Sequence, residues 1–434
     1  MSTFLDRPQY TLFRRALFQV HIWVGVLTGL YIFVVCTTGA ALVFRIEMQR
    51  AMHPALFTPA RPGPVAHPAD VIESVGRSFP GQTVFGVDAP TTTRPTYLAY
   101  ARGDTRLLTL LLDPVDARLL GELPDRSFVR SIQELHFDLL AGRTGRIVNG
   151  LGALCLLAMC ATGLIIWWPG RKSWRRGFAI DCRRQWRRVV WDVHSALGIC
   201  TVLIIAIWAV TGLEFAFPNR FRDVVNAISP LTVARTPDSR TPDGEAVHLE
   251  WRTLVDIARQ HAAGQHVARV VMPSSPTAAF LVMFSREQPT PAASGDLTSV
   301  YLDQYTGASL TVPTARRTLG DTVMAWIAPL HVGGFNATGL RVAWCLLGLA
   351  PPALFVTGFI MRVELTVGLE ERRWPVVDGG RVDADRANLP VGDDPTRRIG
   401  MKPREVQAAG ALLAAQRRAQ VAFRARPPRG EACP

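Results

Sequence analysis

The sequence predicts an α-helical membrane protein with four transmembrane helices in two tandem repeats and two small α+β domains outside the membrane. Three observations predict this class: four long apolar windows, a repeated pattern of histidines, and two charge-balanced segments between the windows. Of the 434 residues, 48% are hydrophobic and 19% are charged, a balance that suits a membrane protein with sizeable soluble parts.

Each apolar window reaches the roughly 20 residues that are needed to cross a hydrocarbon core of about 30 Å. The charge-free windows are Ala16–Phe44, Ile147–Trp168, Ser195–Leu213 and Val342–Met361. We predict the spans at residues 16–44, 146–168, 194–217 and 340–362. No small-residue cleavage site follows the first window, so we interpret that window as an uncleaved anchor.

The charge distribution predicts the orientation. The loop at residues 169–191 carries eight basic residues against Asp181, a net charge of +7, whereas residues 46–130 hold nine arginines and nine acids and residues 218–326 hold ten of each. The positive-inside rule places this loop, the N-terminus (1–15) and the tail (363–434) in the cytoplasm. Residues 45–134 and 218–328 then form the two outside domains. Because topology explains the basic loop, no nucleic-acid partner is predicted.

Each outside segment shows a helical apolar pattern followed by strand-like runs, which predicts a small α+β unit. The helical patterns are Val71, Ile72, Val75 and Phe79 in the first segment and Leu254, Val255, Ile257 and Ala258 in the second. The strand-like runs are Arg106–Leu112, Phe280–Phe284 and Val300–Leu302. We predict surface segments at Ser127–Leu140 and Asp321–His331 before the second and fourth spans, loops at Pro218–Asp243 and Ser285–Gly295, and a partly disordered tail.

Four histidines at the ends of the spans fall into two matched pairs. His21 and His194 are each followed by a Thr-Gly dipeptide at +17, and His136 and His331 by one at +26. Neutral imidazole is a good ligand for haem iron. The topology puts His21 and His194 near the cytoplasmic face and the other two near the outer face. The spacing therefore predicts two bis-histidine haem-iron sites, His21/His194 and His136/His331.

The residues around these histidines predict how each haem is held. The chain has no CxxCH motif for covalent attachment, so we predict two b-type haems. Arg146 and Arg341, at +10 from His136 and His331, are candidates for pairing with haem propionates, or else ordinary interfacial arginines. The Thr-Gly pairs allow close helix packing, which we favour, or packing of haem against glycine. They are Thr38-Gly39, Thr162-Gly163, Thr211-Gly212 and Thr357-Gly358.

As a set, these motifs resemble the PepSY-associated transmembrane proteins, bacterial inner-membrane proteins often linked to iron uptake. The resemblance covers roughly residues 10–365. Its segments are His21-Ile-Trp-Val-Gly25 through Thr38-Gly39, Leu135-His136 through Thr162-Gly163-Leu-Ile-Ile-Trp167, Asp192-Val-His194-Ser-Ala-Leu-Gly198, and Leu330-His331 through Thr357-Gly358. It implies PepSY-like outside domains and an inner-membrane location. Ser195 departs from the pattern, because an arginine is common there in relatives.

The resemblance implies a di-haem ferric-siderophore reductase. Electrons would pass from a quinol or a cytoplasmic donor to a ferric siderophore in the periplasm, releasing Fe(II), and no catalytic acid, base or nucleophile is required. Aromatic residues flanking the outer ligands are candidates for the substrate floor: Phe128, Phe137, Trp326 and Phe335. The alternatives are a membrane-tethered regulator of a peptidase, an electron-transfer subunit for another periplasmic acceptor, and a transporter. We disfavour the transporter because we interpret the spans as unbroken by proline.

Overall fold

The computed structural model describes residues 12–59, 61–103, 106–170, 173–232, 236–240, 247–286, 297–310, 318–335 and 337–371. Residues 1–11 of the predicted N-terminus and the predicted tail beyond residue 371 lie outside these ranges. The helices are α1 (Leu12–Leu42), α2 (Arg45–Met52), α3 (Pro68–Ser78), α4 (Phe128–Asp138), α5 (Gly142–Trp167), α6 (Trp186–Ala216), α7 (Pro218–Ile228), α8 (Trp251–Gln260), α9 (Leu319–Val332), α10 (Thr338–Gly348) and α11 (Ala350–Glu371).

Four helical segments are long and apolar enough to cross a membrane, in the order that the sequence predicts. They are α1, α5, α6 and the α10–α11 pair. Each span packs against two others, so that α1, α5, α6 and α11 form a ring with α1 and α6 on one diagonal. The segments between the first and second spans and between the third and fourth spans lie at the same end of the ring. We call this end the sheet side and the end with residues 173–185 the loop side.

The fourth span is interrupted, and the interpretation of all spans as unbroken by proline is wrong. Helix α10 ends at Gly348, and α11 begins at Ala350, directly before Pro351 and Pro352. A proline inside a helix lacks the N–H group and clashes with the preceding turn, whereas the first turn of a helix tolerates it. At the break, a Cβ on Gly348 would lie 3.1 Å from the Cβ of Ala40. The glycine therefore lets the fourth span approach the first closely.

The two segments that are predicted to lie outside share one antiparallel sheet. Its strands are β1 (Thr83–Asp88), β2 (Tyr97–Arg102), β3 (Leu107–Leu112), β4 (Leu119–Glu122), β5 (His266–Val271), β6 (Phe280–Ser285) and β7 (Leu297–Leu302), in the order β4-β3-β2-β1-β5-β6-β7. The α+β character is as predicted, and the two segments are joined edge to edge, which the sequence patterns did not indicate. Strands β1 and β5 pair with each other, with Val87 opposite Val270 and Asp88 opposite Arg269.

Helices α3 and α8 cover one face of this sheet and form the main hydrophobic core with it. Alternation along the strands points every second residue to that face. The core includes Val71, Val75, Leu110, Leu254 and Phe280, all fully buried. Polar contacts also cross between the two segments, since Arg252 pairs with Asp70 and His67 Nε2 lies 3.2 Å from Asp256 Oδ1. The two segments therefore fold as one body.

The sequence patterns identify the buried helices but miss part of the sheet. The apolar patterns predicted α3 and α8, and the strand-like runs predicted β3, β6 and β7. Strands β1, β2, β4 and β5 were not predicted. Within the predicted loop Pro218–Asp243, residues Pro218–Ile228 form helix α7. Proline at the first helical position is compatible with a helix, and Phe221, Val225 and Ile228 recur at helical spacing.

Candidate functional site

The sheet-side histidines lie near the ends of two short helices between the sheet and the bundle. His136 is in the last turn of α4 and His331 in the last turn of α9. Side chains from the spans hold both turns. Asn149 Nδ2 donates to the carbonyl oxygen of His136 at 2.8 Å. Trp208 Nε1 and Trp344 Nε1 donate to the carbonyl oxygen of Leu330 at 3.1 and 3.0 Å. Hydrogen bonds from the spans thus hold the backbone at or next to each of the two histidines.

Each of the four histidines meets a threonine of a neighbouring span at its Nδ1 atom. Nδ1 lies 2.9 Å from the Thr162 hydroxyl for His21, 2.8 Å from Thr357 for His194 and 2.8 Å from Thr211 for His331. His136 Nδ1 lies 2.9 Å from the Val35 carbonyl oxygen and 3.4 Å from the Thr38 hydroxyl. The threonines of the four Thr-Gly pairs therefore all contact a histidine, a contact that sequence reasoning missed.

The threonine contacts favour one of the two histidine tautomers. Thr211 Oγ1 also lies 2.8 Å from the Ile207 carbonyl of its own helix, and Thr162 Oγ1 lies 2.7 Å from that of Ala158. A hydroxyl has one proton. If that proton is donated to the helix carbonyl, the oxygen accepts from an Nδ1–H group. The assignment favours the tautomer with a bare Nε2, which is the atom that binds a metal.

The glycine of each Thr-Gly pair lies against the ring of the same histidine. A Cβ at Gly39 would lie 2.7 Å from His136 Cε1, closer than real side chains approach. At Gly163 and Gly358 the distances to the Cε1 atoms of the loop-side histidines would be 3.3 Å, and at Gly212 the distance to His331 Cε1 would be 3.7 Å. The favoured interpretation of these dipeptides as helix-packing elements is therefore incomplete, because they also shape the histidine environment.

The structure brings the predicted sheet-side partners together. The ring centroids of His136 and His331 lie 6.2 Å apart, with an angle of 47° between the ring planes. His21 and His194 are on the diagonal helices α1 and α6, both toward the loop side of the bundle. Metal–imidazole bonds are about 2 Å long, so two imidazoles on opposite sides of one metal ion have ring centres about 6 Å apart. The sheet-side separation fits that requirement.

Burial keeps the sheet-side histidines in the neutral form. Burial lowers the pKa of His136, although the hydrogen bond to the Val35 carbonyl acts in the opposite direction and raises it. It lowers the pKa of His331 to about 3, and the neighbouring His136 adds to the effect. Both imidazoles are therefore neutral at neutral pH, the state in which a histidine binds a metal.

A cavity of about 630 Å³ contains the sheet-side pair. It lies between the bundle and the sheet, and its volume is in the range of cofactor and ligand pockets. His136, His331, Arg146 and Arg341 all line it. Of the aromatic residues predicted as a floor, Phe137 and Phe335 line the cavity, whereas Phe128 and Trp326 are not among its lining residues.

The two predicted propionate partners differ in what surrounds them. Arg341 is 9% exposed and forms a two-pronged ion pair with Glu47, in which Nη2 lies 2.9 Å from Oε2, and it also donates to the Val43 carbonyl. Partial burial acts to raise the pKa of Glu47, but the hydrogen bonds and charge of Arg341 lower it. Arg146 is exposed and has no ion-pair partner among the described residues. Arg341 is therefore already neutralised within the protein, while Arg146 is not.

A bare metal ion would have few protein ligands here. Among the described residues, no group of three or more His, Cys, Asp or Glu side chains could hold a metal ion. Each histidine pair offers two nitrogens, so a metal bound there needs further ligands, either water or those of a cofactor that carries the metal. The site can thus accept a planar metal complex with two open axial positions.

The comparison with known proteins agrees with these motifs. No curated protein matches the chain. The match to the family described as "PepSY-associated TM region" covers residues 18–364, from just before His21 to just past the last Thr-Gly pair. That range contains all four histidines, both arginines and every described strand. Because the match covers most of the 434 residues, the chain belongs to the PepSY-associated transmembrane family.

Proposed function

We propose that this protein is a di-haem membrane reductase that passes electrons to a ferric siderophore. One observation carries the proposal: all four matched histidines have a hydrogen-bonded Nδ1, and their Nε2 atoms have no hydrogen-bond partner among the described residues. The two predicted pairs, His21/His194 and His136/His331, would each hold one b-type haem by its axial positions. When bound, the haems supply one-electron transfer, and the chain itself needs no catalytic acid, base or nucleophile.

The chemistry of each pair suits haem better than a bare ion. The porphyrin supplies four nitrogen ligands, and two neutral imidazoles complete the coordination. The sheet-side separation of 6.2 Å and the cavity of about 630 Å³ support this fit. The Thr–His contacts would orient the imidazoles, a role that partners outside the coordination sphere commonly have in metal sites. The chain has no covalent attachment motif, so these contacts and the apolar cavity wall would retain the cofactor.

The positions of the two pairs suggest the direction of electron flow. His21 and His194 lie toward the loop side, whose strong positive charge favours the cytoplasm in a bacterial inner membrane. His136 and His331 lie toward the sheet side, beneath the strands. We infer that electrons from a quinol or a cytoplasmic flavoprotein enter at the loop-side pair and leave at the sheet-side pair. One electron per iron converts Fe(III) to Fe(II), which binds hard oxygen ligands more weakly and is released for uptake.

Two other functions predict different outcomes. The break beside Pro351 is a feature of transporter helices as well, since interrupted helices line transport sites. A PepSY-type regulator of a peptidase would use the sheet as a docking surface. Neither function requires four histidines with matched Nδ1 contacts, and a protein with either function would be colourless after purification.

The test of the proposed function begins with the purified full-length protein in detergent. A haem protein with two bis-histidine sites should show a sharp reduced spectrum and two haems per chain by the pyridine-haemochrome assay. The reduced protein is then mixed, without oxygen, with ferric siderophores and with ferrozine to trap Fe(II). We expect haem oxidation and Fe(II) release in equal amounts. A protein without haem, or with haems that no ferric chelate reoxidises, would exclude the reductase.

A matched pair of substitutions on α6 tests the threonine contact itself. Thr201 and Thr211 are both buried and both donate to a carbonyl one turn earlier, but only Thr211 contacts a histidine. We expect Thr211→Val to weaken haem binding at the sheet-side site by roughly tenfold or more, because the His331 tautomer is no longer fixed. Thr201→Val should leave haem affinity at the wild-type value. Equal affinities in a haem titration of the two variants would contradict the proposed role of the contact.

A further inference from the structure

The β1–β2 loop, residues 89–96, brings an arginine into the same cavity as the sheet-side histidines. Thr91, Thr92, Thr93 and Arg94 all line the cavity. The loop is held in a tight turn, in which the Thr91 N–H group donates to the Arg94 carbonyl at 2.7 Å and the Arg94 N–H group donates to the Thr91 hydroxyl at 3.0 Å. These hydrogen bonds within the loop hold the Arg94 backbone, and with it the Cα–Cβ bond of the side chain, in one position.

Arg94 is buried with half of its guanidinium unsatisfied. The residue is 5% exposed, and its Nη2 donates to the Ala89 carbonyl at 2.7 Å. Its Nη1 is buried and has no hydrogen-bond partner among the described residues, and the same holds for the hydroxyl of Thr93. Asp88 attracts the Arg94 cation electrostatically, but no carboxylate is hydrogen-bonded to it among the described residues. A buried charged group with a donor left unsatisfied is costly, so a protein rarely keeps one without a use for it.

Two carboxylates near Arg94 or near the cavity are bound by other arginines: Asp88, which lines the cavity, and Glu47, which lies beside its wall. Asp88 is bound by Arg269, whose Nη2 lies 2.8 Å from Oδ2, and by the Tyr100 hydroxyl at 3.2 Å. Glu47 is bound by Arg341. Arg269 and Arg341 are thus neutralised, whereas Arg94 has no hydrogen-bonded carboxylate among the described residues. Of the arginines that line the cavity, Arg94 and Arg341 are buried, whereas Arg269 is exposed. Arg94 is therefore the buried arginine of the described cavity wall that has no carboxylate bound to it.

We propose that Arg94, assisted by the Thr93 hydroxyl, forms a carboxylate-binding site in the cavity that holds an anionic group of the molecule bound beneath the sheet. Guanidinium binds carboxylate with two parallel hydrogen bonds, and a hydroxyl adds a third donor. The inference rests on the proposed function for one of two sources of that carboxylate, a propionate of the sheet-side haem. The other source is a carboxylate-bearing ferric chelate, which needs no haem.

Arg94→Gln tests the site, because it removes the charge and keeps most of the side-chain length. Arg77→Gln is the control, since Arg77 lies on the exposed surface of α3 and its one ion-pair partner among the described residues is Glu73, at 3.9 Å. Three quantities are measured on the full-length protein: haem content, the midpoint potential of each haem, and binding of ferric citrate compared with an uncharged ferric hydroxamate. If Arg94→Gln does not yield a monodisperse protein, Thr93→Val and Arg94→Lys replace it.

The two carboxylate sources give different results. If Arg94 binds a propionate, Arg94→Gln should lower the potential of one haem or lose that haem, and leave the other haem unchanged. If Arg94 binds the chelate, haem content and potentials stay at wild-type values, while ferric citrate binds about tenfold more weakly and the hydroxamate binds equally well. Results equal to those of Arg77→Gln in all three measurements overturn the site.

Failure of the proposed function is distinguishable from failure of this site. A wild-type protein that holds no haem rejects the di-haem reductase and leaves the chelate source open. Citrate is then titrated directly into the haem-free protein. Binding that weakens about tenfold in Arg94→Gln supports the carboxylate site, and an absence of binding or an equal affinity in the two variants rejects it.

Discussion

Replacing His331 with alanine is expected to remove about half of the haem from the protein and to abolish its oxidation by ferric chelates. The substitution deletes one of the two axial ligands that we propose for the sheet-side haem. The ring of His331 lies 6.2 Å from that of His136 and 5.0 Å from that of Phe215. A single remaining histidine binds haem far more weakly than two do. The loop-side pair shares no residue with this site and should keep its haem.

The measurement for His331→Ala is a pyridine-haemochrome assay on protein of known concentration, followed by reoxidation of the reduced form with a ferric chelate. His266→Ala is the matched control, because His266 is an exposed histidine on β5, outside the cavity wall. The control should retain both haems and full reoxidation. Full haem content in His331→Ala would falsify the assignment of this residue as a ligand.

Substituting Gly39 by alanine should also empty the sheet-side site, whereas the same change at Gly212 should be tolerated. The added Cβ would lie 2.7 Å from His136 Cε1 at Gly39 but 3.7 Å from His331 Cε1 at Gly212. At Gly39 the added methyl group would force the His136 imidazole to move and would disturb its 2.9 Å contact with the Val35 carbonyl. The second distance is an ordinary van der Waals contact.

The comparison between the two glycines isolates this contact, because both lie in long apolar helices and alanine favours a helix equally at both. We expect about one haem per chain in Gly39→Ala and two in Gly212→Ala, with both variants eluting as a single species in detergent. Loss of haem from both variants would mean that the sheet-side site is generally intolerant of a methyl group. Retention in both would mean that His136 can shift without losing the cofactor.

The sequence predicted the spans and the histidine pairs because both depend on local patterns. An apolar window of about 20 residues has one common explanation, and equal spacing from histidine to Thr-Gly is visible in the chain alone. The patterns did not reveal which threonine contacts which histidine. Thr38 follows His21 by 17 residues but contacts His136, because helices run in opposite directions through the bundle and bring distant ends together.

Other features depended on contacts that no local pattern records. Arg341 had the spacing of a propionate partner, yet it pairs with Glu47, 294 residues earlier in the chain. Arg94 had no distinguishing spacing, and only the cavity reveals that its guanidinium is buried. The strands β1 and β5 were missed because pairing with each other, rather than strong alternation within each run, stabilises them in the centre of the sheet.

The pairing of β1 with β5 also constrains the order of events during biosynthesis. Asp88 and its partner Arg269 are separated by 181 residues. Because a ribosome adds about 5–20 residues per second, strand β5 is synthesised roughly ten to forty seconds after β1. During that interval, the backbone donors and acceptors on the edge of β1 that later pairs with β5 are unpaired. An unpaired strand edge is prone to association with other nascent chains. This edge of β1 is covered only after the third span has entered the bilayer and β5 has reached the same side of the membrane as β1.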